Sequence, residues 1–374
     1  MAEALKNHYG PDIPRRIAAM VRAVHPAFDV QSFVKHALDG FEALELMQRG
    51  AKIADALHAH LPDDFPAAVE ILLASLDQPT SPKTINAGKN PITAFMFLPH
   101  TLFVAQHGLE HLEASMRAQH ALTQRFSAEF SIRRFLQYKQ IDTLRILRAW
   151  ATDPSHHVRR LVSEGTRPRL PWAPRLRAFQ QDPRPVLALL ELLKDDPSLY
   201  VRRSVANNLN DIGKDHPDLL FETAERWMKN ASDERQWIIR HALRSAVKRG
   251  EQGALRVLGF GGEAKVKIKN AQVAPARVKK GASVTVSFDL ASAAPRAQRL
   301  VVDLCVHFVK ANGSARPKVF KLRELELGAK AVTSFSKRLS LRDLTTRKHY
   351  RGVHRVEVVV NGRGAPVGKF VLLD

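Results

Sequence analysis

Asp153-Pro154-Ser155-His156-His157-Val158-Arg159-Arg160 recurs 43 residues further on as Asp196-Pro197-Ser198-Leu199-Tyr200-Val201-Arg202-Arg203. A looser copy, Asp233-Glu234-Arg235-Gln236-Trp237-Ile238-Ile239-Arg240, follows after another 37. An apolar helical stretch precedes each copy: LRILRAWA (144–151), VLALLELL (186–193) and LFETAERWM (220–228). Helix, Asp-Pro turn, helix, at a period of about 40 residues, predicts HEAT-like α-solenoid repeats, whose stacked pairs offer a concave binding face. The Asp is expected to be the N-cap and the Pro the first helical residue.

The second helix of each pair has two faces. Val158/Val162, Val201/Val205/Leu209 and Ile238/Ala242/Ala246 recur at i, i+4 and predict the buried stripe. Two residues on, about 200° around the helix, lie Arg160/Glu164, Arg203/Asn207/Asp211 and Arg240/Arg244/Lys248. A fourth instance is Glu129/Arg133 in AEFSIRRFLQ. The spacing therefore predicts an aligned, Arg-rich stripe with interspersed acids, turned away from the core.

Outward from the repeats, helix-sized apolar runs fill the chain from its start to about residue 250, with a turn-rich loop at 77–91. Beyond the glycine-rich GEQGALRVLGFGG (250–262) the period becomes two, as in Val284/Val286/Phe288/Leu290 and Val302/Leu304/Val306/Phe308. Seven short strands there suggest an antiparallel sandwich of immunoglobulin or fibronectin type. The expected architecture is mainly α: a HEAT-like α-solenoid over 1–261, then an immunoglobulin-like β-sandwich over 262–374.

The 374 residues carry 58 Lys/Arg against 37 Asp/Glu, net +21, with 45% hydrophobic residues. That hydrophobic share excludes wholesale disorder, and the charge points to a polyanion, most often nucleic acid. The charge is uneven. Residues 1–124 hold 10 basic and 13 acidic residues, 125–261 hold 25 and 16, and 262–374 hold 23 and 8. The polyanion is thus expected against the middle and C-terminal thirds, and a protein-binding scaffold is disfavoured. No apolar run reaches the about 18 residues of a membrane span, and no secretory signal is visible at the N-terminus. With a single cysteine, Cys305, this suits a reducing cytoplasm.

Few constellations carry chemistry. His107/His111 have no third ligand, Cys305 reads as a core thiol in a strand, and neither a P-loop nor a G-x-G-x-x-G is present, so no metal and no cofactor are expected. Carboxylates within basic surroundings remain: Glu129, Glu164 and Asp211. On spacing alone, Arg160–Glu164 and Glu129–Arg133 are i, i+4 pairs worth ~0.3–0.5 kcal/mol on a solvated face. The other reading aims an acid at a developing positive charge. Trp172 sits in Thr166-Arg-Pro-Arg-Leu-Pro-Trp-Ala-Pro-Arg-Leu-Arg, a proline-stiffened basic loop. It either packs between repeats or stacks on a nucleotide.

The segments RFSAEFSIRRFL (125–136), DPSHHVRRLVSEGTRPRLPWAPRL (153–176) and DPSLYVRRSVANNLNDIGKDHPD (196–218) resemble bacterial DNA-alkylation repair glycosylases of the AlkC branch, relatives of the HEAT-like AlkD enzymes. The resemblance extends to LKNHYGPDIPRRIA (5–18) and HYRGVHRVEVVVNG (349–362), and the chain carries the C-terminal immunoglobulin-like domain that some members lack. It implies a monofunctional, monomeric glycosylase that removes 3-methyladenine and 3-methylcytosine from double-stranded DNA without flipping the base. It maps Glu129, Glu164 and Asp211 to the catalytic acids and Trp172 to their aromatic neighbour. The expected DNA contacts are Arg159, Arg160, Arg169, Arg202, Arg203 and Arg240 on the repeats. Arg347, Lys348 and Arg351, near His354, join them from one loop of the β-domain. The competing class is a non-catalytic nucleic-acid-binding solenoid.

Overall fold

The computed structural model describes residues 5–76, 95–260, 262–344 and 347–373. The loop expected at 77–91 lies outside them. The helices are α1 Asp12–Val24, α2 Val30–Leu38, α3 Leu46–His60, α4 Phe65–Ser75, α5 Leu98–His107, α6 Leu112–Leu122, α7 Ile132–Tyr138 and α8 Gln140–Trp150. They continue with α9 His156–Gly165, α10 Arg177–Gln181, α11 Arg184–Leu193, α12 Leu199–Ile212, α13 Pro217–Met228, α14 Asp233–Arg249 and α15 Gln252–Val257. Two compact units emerge: Met1–Asp215 with Ser232–His241, and His216–Ala231 with Ala242–Asp374. Among the described residues no helix is long and apolar enough to cross a membrane.

The repeats are HEAT-like helix pairs, α8/α9 and α11/α12, followed by α13/α14. Val158, Val162, Val201, Val205, Leu209, Ile238, Ala242 and Ala246 are all buried, as their periodicity predicts. The turn chemistry differs from expectation. Asp153 and Asp196 are not N-caps; Ser155 and Ser198 hold that position. Each Asp instead accepts the N–H of that Ser through Oδ1, at 2.8 Å in both copies, an Asx turn that bends the chain into the helix. The first Arg of each pair closes the turn. Arg159 donates to the carbonyls of Asp153 and Pro154 at 2.8 and 3.0 Å, and Arg202 to those of Asp196 and Pro197 at 3.1 and 2.8 Å. Arg159 also forks onto Asp196 at 2.6 and 3.2 Å, linking one repeat to the next.

In the second unit, strands β1 Val266–Ala274, β2 Arg277–Lys279, β3 Ser283–Ser292 and β4 Gln298–Val309 precede β5 Ala315–Leu327, β6 Val332–Ser340, β7 Gly352–Val360 and β8 Arg363–Leu373. They form an immunoglobulin-like sandwich of two sheets, β1-β3-β6 and β2-β8-β7-β4-β5. Alternate residues of β3, β4 and β7 fill the core, among them Phe288, Leu304 and Val358. The sequence pattern misses β2 because three residues pairing with β8 are too short to show a period.

β4 is buried on both faces. Its outward Val301 packs against Leu255 and Phe260, which follow α14. Nearby, Gly250 (φ +75°) lies against Gly362 (φ +80°) in the β7–β8 turn; a Cβ on Gly250 would come 2.7 Å from the Gly362 Cα. Only glycine allows both the conformation and the approach. The end of the helical region is therefore part of the sandwich's own packing, and a cut near 261/262 would expose Leu255, Phe260 and Val301.

Candidate active site

Glu129, Glu164 and Asp211 come from three separate parts of the first unit. Glu164 closes α9 and Asp211 lies near the end of α12. Glu129 lies in the turn before α7, not on a helix with Arg133. The expectation of a solvated stripe holds for Arg203 and Arg240, which are exposed. It fails for the acids, since Glu164 is 5% exposed and Asp211 1%. A carboxylate at a helix C-terminus meets the negative end of the helix dipole, so each must be compensated by cations.

Arg160 and Arg167 provide that compensation. Arg160 pairs with Glu129, donates to Ser127 Oγ at 2.7 Å, and lies 3.6 Å from Glu164. Its guanidinium stacks over the Tyr200 ring, 5.0 Å from the centroid. Arg167 bridges Glu164 at 2.6 Å and Asp211 at 2.8 Å. Lys214 takes the other Asp211 oxygen at 2.7 Å. Burial alone would push Arg160 and Arg167 down; the carboxylates beside them reverse this and hold both above the ordinary value. Ser204 Oγ donates to Glu164 Oε2 at 2.6 Å, and Ser163 Oγ lies 2.7 Å from Ser204 Oγ. Three carboxylates and three cations thus form one network of fixed orientation.

Arg133 has a different place from its expected pairing with Glu129. It is buried and donates to the carbonyls of Gly165 at 3.1 Å and Arg167 at 2.7 Å, and to that of Pro174. Burial lowers its pKa to about 10, with Arg167 adding to the shift. Those carbonyls bracket the loop that carries Trp172. Trp172 stands at φ +64°, a left-handed conformation that disfavours a bulky side chain, and is 72% exposed. It is not packed between repeats. Strain and exposure together are the mark of a side chain held in place for a ligand. Arg133 was missed because an Arg at i+4 from a Glu looks like a surface pair in sequence.

Trp172 lines a cavity of about 270 Å³ with Glu129, Glu164 and Arg167, walled by Phe95, Phe126, Phe130, Leu170 and Pro171. Asp211 is not on its wall and meets the cluster through Arg167. Among the other arginines, Arg159 and Arg202 are engaged in their turns and Arg169 in a forked pair with Asp215. In the β-domain Lys348 and Arg351 are exposed. Arg347 stacks over Phe308 and Phe320, 5.2 and 5.8 Å from the centroids. His354 is buried rather than part of the loop's surface: it stacks on Phe370 and accepts the Val309 N–H at 3.3 Å.

Residues 267–374 match a family described as the C-terminal Ig-like domain of the uncharacterised protein YhaZ. Along 96% of both chains, the protein is 37% identical to the uncharacterized protein YhaZ of Bacillus subtilis (strain 168). In structure it matches the Pseudomonas fluorescens alkylpurine DNA glycosylase AlkC bound to DNA containing an abasic-site analogue, with a TM-score of 0.89, 41% identity and full coverage of both chains. The chain belongs to the family that holds YhaZ and the glycosylase AlkC.

Proposed function

We propose that this protein is a monofunctional DNA glycosylase that hydrolyses the N-glycosidic bond of cationic alkylated bases, 3-methyladenine and 3-methylcytosine foremost, without turning the base into a pocket. One observation carries the reading: a strained, exposed indole stands on the wall of one cavity with two carboxylates, Glu129 and Glu164. The AlkC neighbour, an alkylpurine DNA glycosylase, supports it.

The chemistry fits the residues. An N3-alkylated base carries a positive charge and leaves as a neutral molecule, taking both electrons of the glycosidic bond, so no general acid is needed. The charge that develops sits on the sugar, which becomes oxocarbenium-like. Glu129 and Glu164 stabilise it and orient the water that adds to the anomeric carbon, with a carboxylate or solvent taking the released proton. Arg160, Arg167 and Ser204 hold those carboxylates in position before DNA arrives, so little reorganisation is left to the reaction. Asp211 sets the position of Arg167. Trp172 stacks on the damaged nucleotide.

Arg203 and Arg240, exposed on the repeats, contact phosphates, and Arg347, Lys348 and Arg351 add a second cationic surface from the β-domain. The protein acts as a monomer on double-stranded DNA in the bacterial cytoplasm. Incubating the full-length protein with methylated duplex and separating free bases by chromatography tests the reading. Release of 3-methyladenine and 3-methylcytosine is expected. Tight DNA binding without release would make the protein a non-catalytic binding solenoid.

A further inference from the structure

We propose that Cys305, His307 and Glu357 form a binding site for a thiophilic divalent cation, zinc foremost, on the five-stranded sheet. The period of a strand brings them together. Cys305 and His307 are two residues apart on β4 and share a face; Glu357 lies opposite Cys305 in the antiparallel β4–β7 register. Leu304, Val306, Val356 and Val358 between them point the other way, into the sandwich core. The three ligand atoms lie within 4.8 Å of one another.

The geometry distinguishes a cation site from a proton relay. In a Cys–His–carboxylate relay the thiol and the acid address opposite ring nitrogens. Here both address the same one: His307 Nε2 is 3.9 Å from Cys305 Sγ and 3.2 Å from Glu357 Oε1. Three donors converging on one point is what a shared cation requires. Tetrahedral zinc with Zn–S near about 2.3 Å and Zn–N and Zn–O near about 2.1 Å sets its donors roughly 3.3–3.6 Å apart, within a small rotamer adjustment of these spacings. Cys305 is buried, whereas His307 and Glu357 are partly exposed, so an ion can enter from one side and keep a water as fourth ligand.

A bound ion ties β7 to β4 in a sheet ordered β2-β8-β7-β4-β5, and stabilises only the folded sheet. The site is remote in kind from the carboxylate network: it uses none of its residues.

Cobalt(II) titration of the full-length, chelator-treated protein tests this. Cys305 is the chain's only cysteine, so a thiolate-to-cobalt charge-transfer band in the near ultraviolet reports this site alone, whatever the 16 histidines bind elsewhere. One equivalent per chain, displaced by zinc, is expected. The band should vanish in Cys305→Ser, and His307→Gln and Glu357→Gln should each weaken cobalt binding at least tenfold. Zinc should raise the melting temperature of wild type and not of Cys305→Ser. Absence of the band in wild type, or an equal zinc shift in wild type and Cys305→Ser, would overturn the proposal and leave an ordinary His–Glu pair beside a thiol.

Discussion

Arg167 holds Glu164 at 2.6 Å, and the same guanidinium reaches Asp211 on the next repeat at 2.8 Å. The ends of α9 and α12 are therefore joined by charge at the depth where Glu164 meets the cavity. Removing the shared cation takes one partner from each of two buried carboxylates. Arg167→Met should destabilise the protein by about 3–5 kcal/mol in chemical denaturation. Asp211→Asn, which leaves Arg167 and Lys214 one partner short, should cost less in stability while still lowering activity.

The turn-closing arginines and the exposed arginines of the repeats should separate cleanly. Arg159→Ala removes a turn lock and an inter-repeat fork, and should cost about 2 kcal/mol of stability. Its salt dependence of DNA binding should match wild type. Arg203→Ala and Arg240→Ala should do the reverse: unchanged melting temperature, and a log–log salt slope of binding reduced by about one unit each. Fluorescence-anisotropy titrations at several salt concentrations check both halves.

Arg133 should act on chemistry through Trp172. Arg133→Lys keeps a charge but loses the fork that reaches three carbonyls. It should lower the rate of base release with the helical circular dichroism retained. Trp172→Ala should also lower the rate, by less than loss of a carboxylate, because stacking positions the nucleotide but bears no charge. In the Trp172→Ala background Arg133→Lys should add little; fully additive losses in this double-mutant cycle would separate Arg133 from the indole.

His100 gives a pH dependence. It is fully buried with neither ring nitrogen hydrogen-bonded, and burial lowers its pKa from 6.5 to about 4. The folded value is depressed, so the unfolded chain takes up the proton first on acidification. Stability from this residue is complete above pH 6.5 and is lost as pH falls toward 4, by on the order of 3 kcal/mol. His100→Leu should flatten that part of the stability–pH curve, measured by denaturant melts between pH 4 and 8.

Much of this architecture was legible in the chain. The i, i+4 valines marked the buried face of α9 and α12, and the change of period after Gly262 marked the sandwich. What local pattern could not give was depth. Arg160–Glu164 looks the same in sequence whether solvated or buried; only the packing of α12 against α9 puts Glu164 under cover. The role of Arg133 depends on carbonyls 32 to 41 residues away. Cys305 and Glu357 meet only through the β4–β7 register, which strand periodicity does not specify. The Asp-Pro turn was misassigned by two residues because Asp-Pro-Ser offers two capping side chains and the Ser took the N-cap position.

On the proposed mechanism the Glu164 carboxylate, held in place before DNA binds, lowers the barrier to glycosidic cleavage. Glu164→Gln keeps the shape and removes the charge. Single-turnover release of 3-methyladenine from methylated duplex, compared between wild type and Glu164→Gln with binding measured alongside, tests it most directly. A rate at least about 10²-fold lower is predicted, with DNA binding unweakened because repulsion from phosphate falls. A rate within a few-fold of wild type, with only a loss of stability, would contradict the account and return Glu164 to a structural ion pair.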